Sequence, residues 1–227
     1  MKRSSYLFAG IIGSFILSAY FLIIVPQKQI GGLQPQFDED EGKIVNIYPI
    51  ENAGITKGGR AVYVSEGCVY CHSQQVRDEQ NGSDIERGWG TRRTVARDYI
   101  YEQPPLLGSN RLGPDLANVG SAKWRDEAAN ELNGYKPAKR DAAWQLLHLY
   151  DPRIIVKESN MPAYRYLFKK QKISGQRSVN ALDVPVEAGY EIVPLPEAIS
   201  LVGYLQSLDK SHPLKEVKTA SKEVAAK

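Results

Sequence analysis

The chain has 227 residues, 24% of them charged, and a formal net charge of +3. So small a cationic excess gives no ground for a nucleic-acid partner. With two cysteines and three histidines, a four-ligand zinc site would have to recruit carboxylates or scattered histidines in an unusual mixture.

Residues 1–5 contain Lys2 and Arg3 and precede an uncharged apolar stretch, Tyr6 to Val25, YLFAGIIGSFILSAYFLIIV. As a helix rising about 1.5 Å per residue, it covers the roughly 30 Å of a bilayer core. A cleaved signal peptide has a shorter apolar region, about 7–15 residues, ending in a small-residue site. This stretch ends instead in Leu22-Ile23-Ile24-Val25-Pro26. An uncleaved transmembrane anchor over residues 6–25 is expected, with residues 1–5 in the cytoplasm because Lys2 and Arg3 precede it. Residues 26–54 read as a polar linker. Its acidic run Asp38-Glu39-Asp40-Glu41 is most simply part of a solvated connector, with a docking patch for a basic partner as the second reading.

A helix follows, with Thr56 as its cap and apolar surface from Ala61, Val62, Tyr63 and Val64. It leads into Cys68-Val69-Tyr70-Cys71-His72, a CxxCH run and the attachment sequence of a c-type haem. Two thiols are spaced to add to two vinyl groups, and the next residue is a histidine placed to ligate the iron. A redox dithiol would need a βαβ setting that the surrounding pattern does not offer. In bacteria, covalent haem is attached outside the cytoplasmic membrane, which agrees with the orientation of the anchor.

A further helix is expected from about Arg140 to Tyr150, carrying Trp144, Leu147 and His148 on neighbouring turns. Pro196-Glu197 opens the last one, with Leu201, Tyr204, Leu205 and Leu208 at i, i+3, i+4 and i+7. The haem domain is expected over residues 55–208, followed by a Lys-rich, solvated tail over 209–227. No strand pattern competes over any length. The expected fold class is mainly α: a single N-terminal transmembrane helix followed by a cytochrome c-like haem domain with long loops.

An electron carrier needs a sixth iron ligand. Met1 is the initiator, so a thioether can come only from Met161, in Ser159-Asn160-Met161-Pro162-Ala163-Tyr164. A polar loop bounded by proline is a poor place for a core filler and a good one for a ligand. His148 is the rival, although Leu146, Leu147 and Leu149 around it suggest a packed helix. A His/Met pair favours ferrous iron and leaves no vacant position. The chain is therefore expected to move electrons and not to catalyse on its own.

From about Lys57 to Leu208 the chain resembles the monohaem subunit, CcoO or FixO, of the cbb3-type haem–copper cytochrome c oxidase. The stretches that carry the resemblance are VYVSEGCVYCHSQQVR, YIYEQPPLLGSNRLGPDLANVG, WQLLHLYDPR and ESNMPAY, in that order. The resemblance implies one covalent haem c on Cys68 and Cys71, with His72 proximal and Met161 distal. Pro114 would present its carbonyl to the His72 ring, fixing it and increasing its basicity. Arg111 is a candidate partner for a haem propionate, against the plainer reading of a solvated surface arginine.

The resemblance further implies a single-pass protein of the bacterial cytoplasmic (inner) membrane, touching lipid, with its haem domain in the periplasm. Its implied partners are a catalytic haem–copper subunit and, as electron donor, a dihaem cytochrome c subunit or a soluble cytochrome c. The whole complex would reduce oxygen and translocate protons. The chain departs from the family pattern at Leu107, where tryptophan is usual, and at Trp144-Gln145, where Trp-His is usual. It also carries an insertion at about 121–143. An interfacial metal ion near Ser109 is allowed by the resemblance, without a visible ligand cluster. Three other readings remain: the cytochrome subunit of a bacterial nitric oxide reductase, a free membrane-tethered carrier, and a haem sensor.

Overall fold

The computed structural model describes residues 2–121 and 140–219. The insertion expected at 121–143 and the end of the tail lie largely outside the described residues. The chain divides into two compact units, Met1–Ile50 with Val95–Gln103, and Glu51–Thr94 with Pro104–Lys227.

The first unit begins with helix α1 (Lys2–Ala19), a π turn at Tyr20–Ile24 and helix α2 (Val25–Ile30). Together Ser4–Ile30 form 27 residues of mean hydropathy 2.4 in their most apolar window, long and apolar enough to cross a membrane. At about 1.5 Å per residue this is roughly 40 Å. The helix outlasts the apolar stretch at both ends and continues through Pro26. Proline removes an N–H and crowds the carbonyl four residues before it. The wider π turn stands where that crowding falls, and Val25 N donates to Tyr20 O across it.

Two antiparallel strands follow, β1 (Gln36–Asp40) and β2 (Lys43–Tyr48). Their two-residue turn has positive φ at Glu41 (47°) and Gly42 (75°), the combination that matches the natural twist of a hairpin. Tyr48 closes this unit: it is buried, and its Oη donates to Asp98 Oδ1 at 2.7 Å. Asp98 Oδ2 in turn accepts from Val95 N at 2.8 Å.

The second unit is organised by helices α3 (Gly54–Ser65), α4 (Ala142–Tyr150) and α5 (Pro196–Ser207). The apolar stripe expected on the last helix is inside, with Leu201, Tyr204, Leu205 and Leu208 all buried. Helices α3 and α5 cross so closely that a Cβ on Gly59 would lie 1.8 Å from the Ser200 carbonyl oxygen. Tyr63 and Tyr204 then meet edge to face, ring centres 5.4 Å apart. On α3 only Tyr63 and Gly59 are buried, while Ala61 and Val64 face outward. Thr56 does not cap this helix: Ala53 holds the cap position, and the Thr56 hydroxyl donates to its carbonyl at 2.7 Å. On α4, Asp141 is the cap, its side chain accepting from Trp144 N at 3.0 Å.

The expectation of a mainly α protein needs correction. Besides β1–β2 there is a second hairpin, β3 (Phe168–Lys172) with β4 (Tyr190–Pro194), paired antiparallel from Phe168↔Pro194 to Lys172↔Tyr190. The sequence of β3, FKKQK, reads as a polar loop. Its lysines are exposed, and only Phe168 is buried. Most of the apolar contribution comes from β4, where Ile192 and Val193 are buried. The fold is thus helices plus two short hairpins joined by long loops.

Candidate functional site

The chain enters the CxxCH run from the end of α3 through Gly67 and makes a 3-10 turn at Cys68–Tyr70. Cys71 N and His72 N both donate to Cys68 O, at 3.2 and 3.0 Å. The turn gathers Cys68, Cys71 and His72 at the end of one helix. Both cysteines are free thiols. Burial pushes the Cys68 thiol up to about 11.

The segment around Pro114 lies along this turn. Gln74 N donates to Leu107 O at 3.0 Å, Gly113 N to Cys71 O at 3.0 Å and Leu116 N to Ser73 O at 2.8 Å. This alignment brings His72 Nδ1 to 2.8 Å from Pro114 O. A carbonyl only accepts, so Nδ1 carries the proton and Nε2 is left as the ring's lone-pair donor. Burial lowers the imidazole's proton affinity, with the Pro114 bond working against it, and the ring is neutral as a metal ligand must be. Gly113 makes this approach possible: a Cβ there would lie 2.2 Å from His72 Cε1.

A buried ion network stabilises the arrangement. Asp84 has no exposed side-chain surface and is paired with Arg77 at 2.8 Å and Arg111 at 2.7 Å. Although burial alone would raise it, hydrogen bonds from Arg77 and Arg111 hold its carboxyl below the usual carboxylate range. Arg111 also donates from Nε to Ser73 Oγ at 2.8 Å and from Nη2 to Gln75 O at 2.5 Å. Asp115 accepts from Ser73 Oγ at 2.6 Å and Gln75 N at 2.8 Å. The residue expected at a propionate is therefore a strut between three chain segments. Asp84, Arg77 and Asp115 stand out only in the structure, because ion pairing at a distance leaves no local sequence pattern.

Met161 reaches the same place from a distant loop. Tyr164 N donates to Leu149 O at 2.9 Å, tying the loop to α4. Arg153 Nη1 donates to Met161 O at 3.0 Å, and Asp151 pairs with Arg153 at 3.3 Å and Arg165 at 2.5 Å. His72 and Met161 both line a cavity of about 530 Å³, its open mouth included, whose walls also carry Tyr63, Cys68, Leu149, Leu201 and Leu205. Such concave, mostly apolar chambers with a few convergent polar groups are the usual form of cofactor sites. His148 lines it too. Its ring stacks on Trp144, centroids 4.8 Å apart and planes 9° from parallel, and its Nδ1 is buried without a hydrogen-bond partner. Burial, followed by the neighbouring His72 and Arg140, pushes its pKa down to about 4.

These residues fit an iron porphyrin. There is an apolar chamber, a ring nitrogen freed by Pro114, a thioether opening on the same space, two thiols at the rim, and a glycine where a side chain would obstruct the ring. Among the described residues no group of three or more His, Cys, Asp or Glu could hold a metal ion. Ser109 is exposed.

A single apolar helix, a CxxCH turn and a cavity lined by histidine and methionine define the class of membrane-bound cytochrome subunits in electron transport. The family model of the cytochrome c oxidase mono-haem subunit, FixO, matches residues 13–192, and the chain belongs to that family. No curated protein matches it.

Proposed function

We propose that this chain is the electron-transfer subunit of a cbb3-type haem–copper oxidase, delivering electrons from cytochrome c donors to the oxygen-reducing subunit. It is anchored in the bacterial inner membrane by its first helix, with the second unit in the periplasm. One observation carries the reading: His72, from the CxxCH turn, and Met161, from a loop far along the chain, open on one apolar cavity.

Cys68 and Cys71 would hold one haem c covalently, with His72 and Met161 as its axial ligands. When bound, the haem supplies one-electron exchange at a potential raised by the thioether, with no position vacant for a substrate. The chain's own residues set the conditions. Pro114 fixes the His72 ring and increases its basicity. Arg153 and Tyr164 hold the methionine loop against α4. Tyr63, Leu149, Leu201 and Leu205 keep water from the chamber. Arg111 braces the Pro114 segment, and its remaining N–H groups are what it would offer a propionate.

The test is purification through this chain in mild detergent, with haem types and copper measured. Haem that stays on the polypeptide through acid extraction is expected, accompanied by copper and non-covalent haem from the partner. Complete extraction of haem would overturn the covalent site. A partner without copper would point to nitric oxide reductase, and a chain that purifies alone would overturn the subunit role. Met161→His should keep a low-spin haem while lowering its potential, because imidazole lacks the thioether's preference for ferrous iron. An unchanged potential would remove Met161 as ligand and leave His148.

A further inference from the structure

We propose that the outward face of the β1–β2 hairpin is a docking surface for a second membrane-embedded protein subunit, one whose surface beside the bilayer is apolar with a basic rim. The register sets Phe37 opposite Ile47 and, past a bulge, Glu39 opposite Ile44. Alternation places these residues on one face and Gln36, Asp38 and Tyr48 on the other. The polar face is turned toward its own chain: Tyr48 is buried on Asp98, and Gln36 Nε2 donates to Asp38 Oδ1 at 2.9 Å.

This reverses the usual half-buried antiparallel hairpin, whose apolar side packs inward. Phe37, Ile44, Val45, Ile47 and Ile50 remain 44%, 58%, 63%, 42% and 77% exposed. A two-stranded hairpin is marginal in water by itself. A contiguous exposed apolar patch beside it marks an interaction site.

Chain length and charge identify the occupant. Only residues 31–35 separate the end of α2 from β1, and five extended residues span at most about 18 Å. The hairpin is therefore tethered close to the membrane surface. Lipid is the poorer occupant: Asp38, Glu39, Asp40 and Glu41 crowd the strand and turn against Lys43 alone, and anionic headgroups repel such a run. A protein surface with lysines and arginines around an apolar groove suits both features. The inference rests on the proposed function in taking that protein to be an oxidase subunit, and it adds which surface of this chain meets it.

The test uses the complex in native membranes. A photoreactive amino acid at position 44 should cross-link to the haem–copper subunit, within a segment outside the bilayer as mapped by mass spectrometry. Phe37→Glu combined with Ile47→Glu should cut the co-purifying oxidase subunit about tenfold or more, equivalent to about 1.4 kcal/mol. The haem content of the variant chain and its retention in carbonate-washed membranes should match the unaltered protein. Cross-links to lipid alone, or full retention of the partner by the double variant, would overturn the docking surface and leave the proposed function standing. If the unaltered chain brings down no oxidase subunit, both fall.

Discussion

The two sides of the cavity are built differently. On the His72 side, three backbone hydrogen bonds align residues 107–116 with residues 71–74, and a fully buried aspartate pairs with two arginines beneath them. On the Met161 side, the loop hangs from Arg153 and from one backbone bond to α4, and the clamping arginines Arg153 and Arg165 are 45% and 62% exposed. Parts of a protein with few buried contacts and solvent-exposed ties open first. The histidine side should fail only with the fold, whereas the methionine side should respond to conditions that leave the fold intact.

The most severe way to break this contrast is at Gly113. Gly113→Ala puts a methyl group into the His72 ring and should reduce haem retained per chain by about 10–100-fold, the range for losing a metal ligand's support. Haem-to-protein ratio after purification checks it. Asp84→Asn strikes the same side through the fold. Leaving Arg111 and Arg77 without their carboxylate should cost about 3 kcal/mol in denaturant unfolding, while the absorption band of methionine ligation persists in the protein that remains folded.

A pH series sharpens the comparison at His148. Its folded pKa, about 4, lies below its ordinary 6.5, so the unfolded chain binds the proton more readily. The stability that depends on neutral His148 is complete above pH 6.5 and is lost as pH falls toward 4. The slope is at most about 1.4 kcal/mol per pH unit. Unfolding midpoints measured across that window should flatten in His148→Gln. Asp151, held low by Arg165, contributes in the same direction below pH 4. Asp115, raised by burial, opposes it.

The smallest effect on stability is expected from Arg153→Ala, no more than about 1 kcal/mol, because exposed ion pairs contribute little. Its signature should be local: weaker methionine ligation and a lower reduction potential, with His72 and the thioether bonds unaffected. If Asp84→Asn loosened the methionine and Arg153→Ala did not, the contrast between the two sides would be wrong.

Much of this site is legible in the sequence because its chemistry is local. CxxCH specifies thiols and histidine within one turn. The stripe on α5 follows from helical periodicity, and Met161 follows from the scarcity of methionine. What escapes a sequence reading depends on distant partners. Asp84 acquires its role only when residues 77 and 111 converge on it. His148 sits in a run of leucines that reads as core, and only packing turns its ring toward the cavity. Gly113 precedes Pro114 in plain sight, yet its function is to lack an atom. The hairpins stay hidden because β3 is rich in lysine and because β1 carries the acidic run. The Glu41-Gly42 pair before Lys43 is the one turn signal they offer.

Helix α5, the wall opposite Cys68, has a consequence for the order of events during synthesis. Leu201 and Leu205 complete the chamber, and they are made long after the cysteines. Until they arrive, Cys68 is in water, where a thiol titrates near 8.5. Once the chamber closes, burial takes the same thiol to about 11 and removes most of its nucleophilicity. Covalent chemistry at Cys68 therefore belongs to the nascent chain, before the last helix seals the wall.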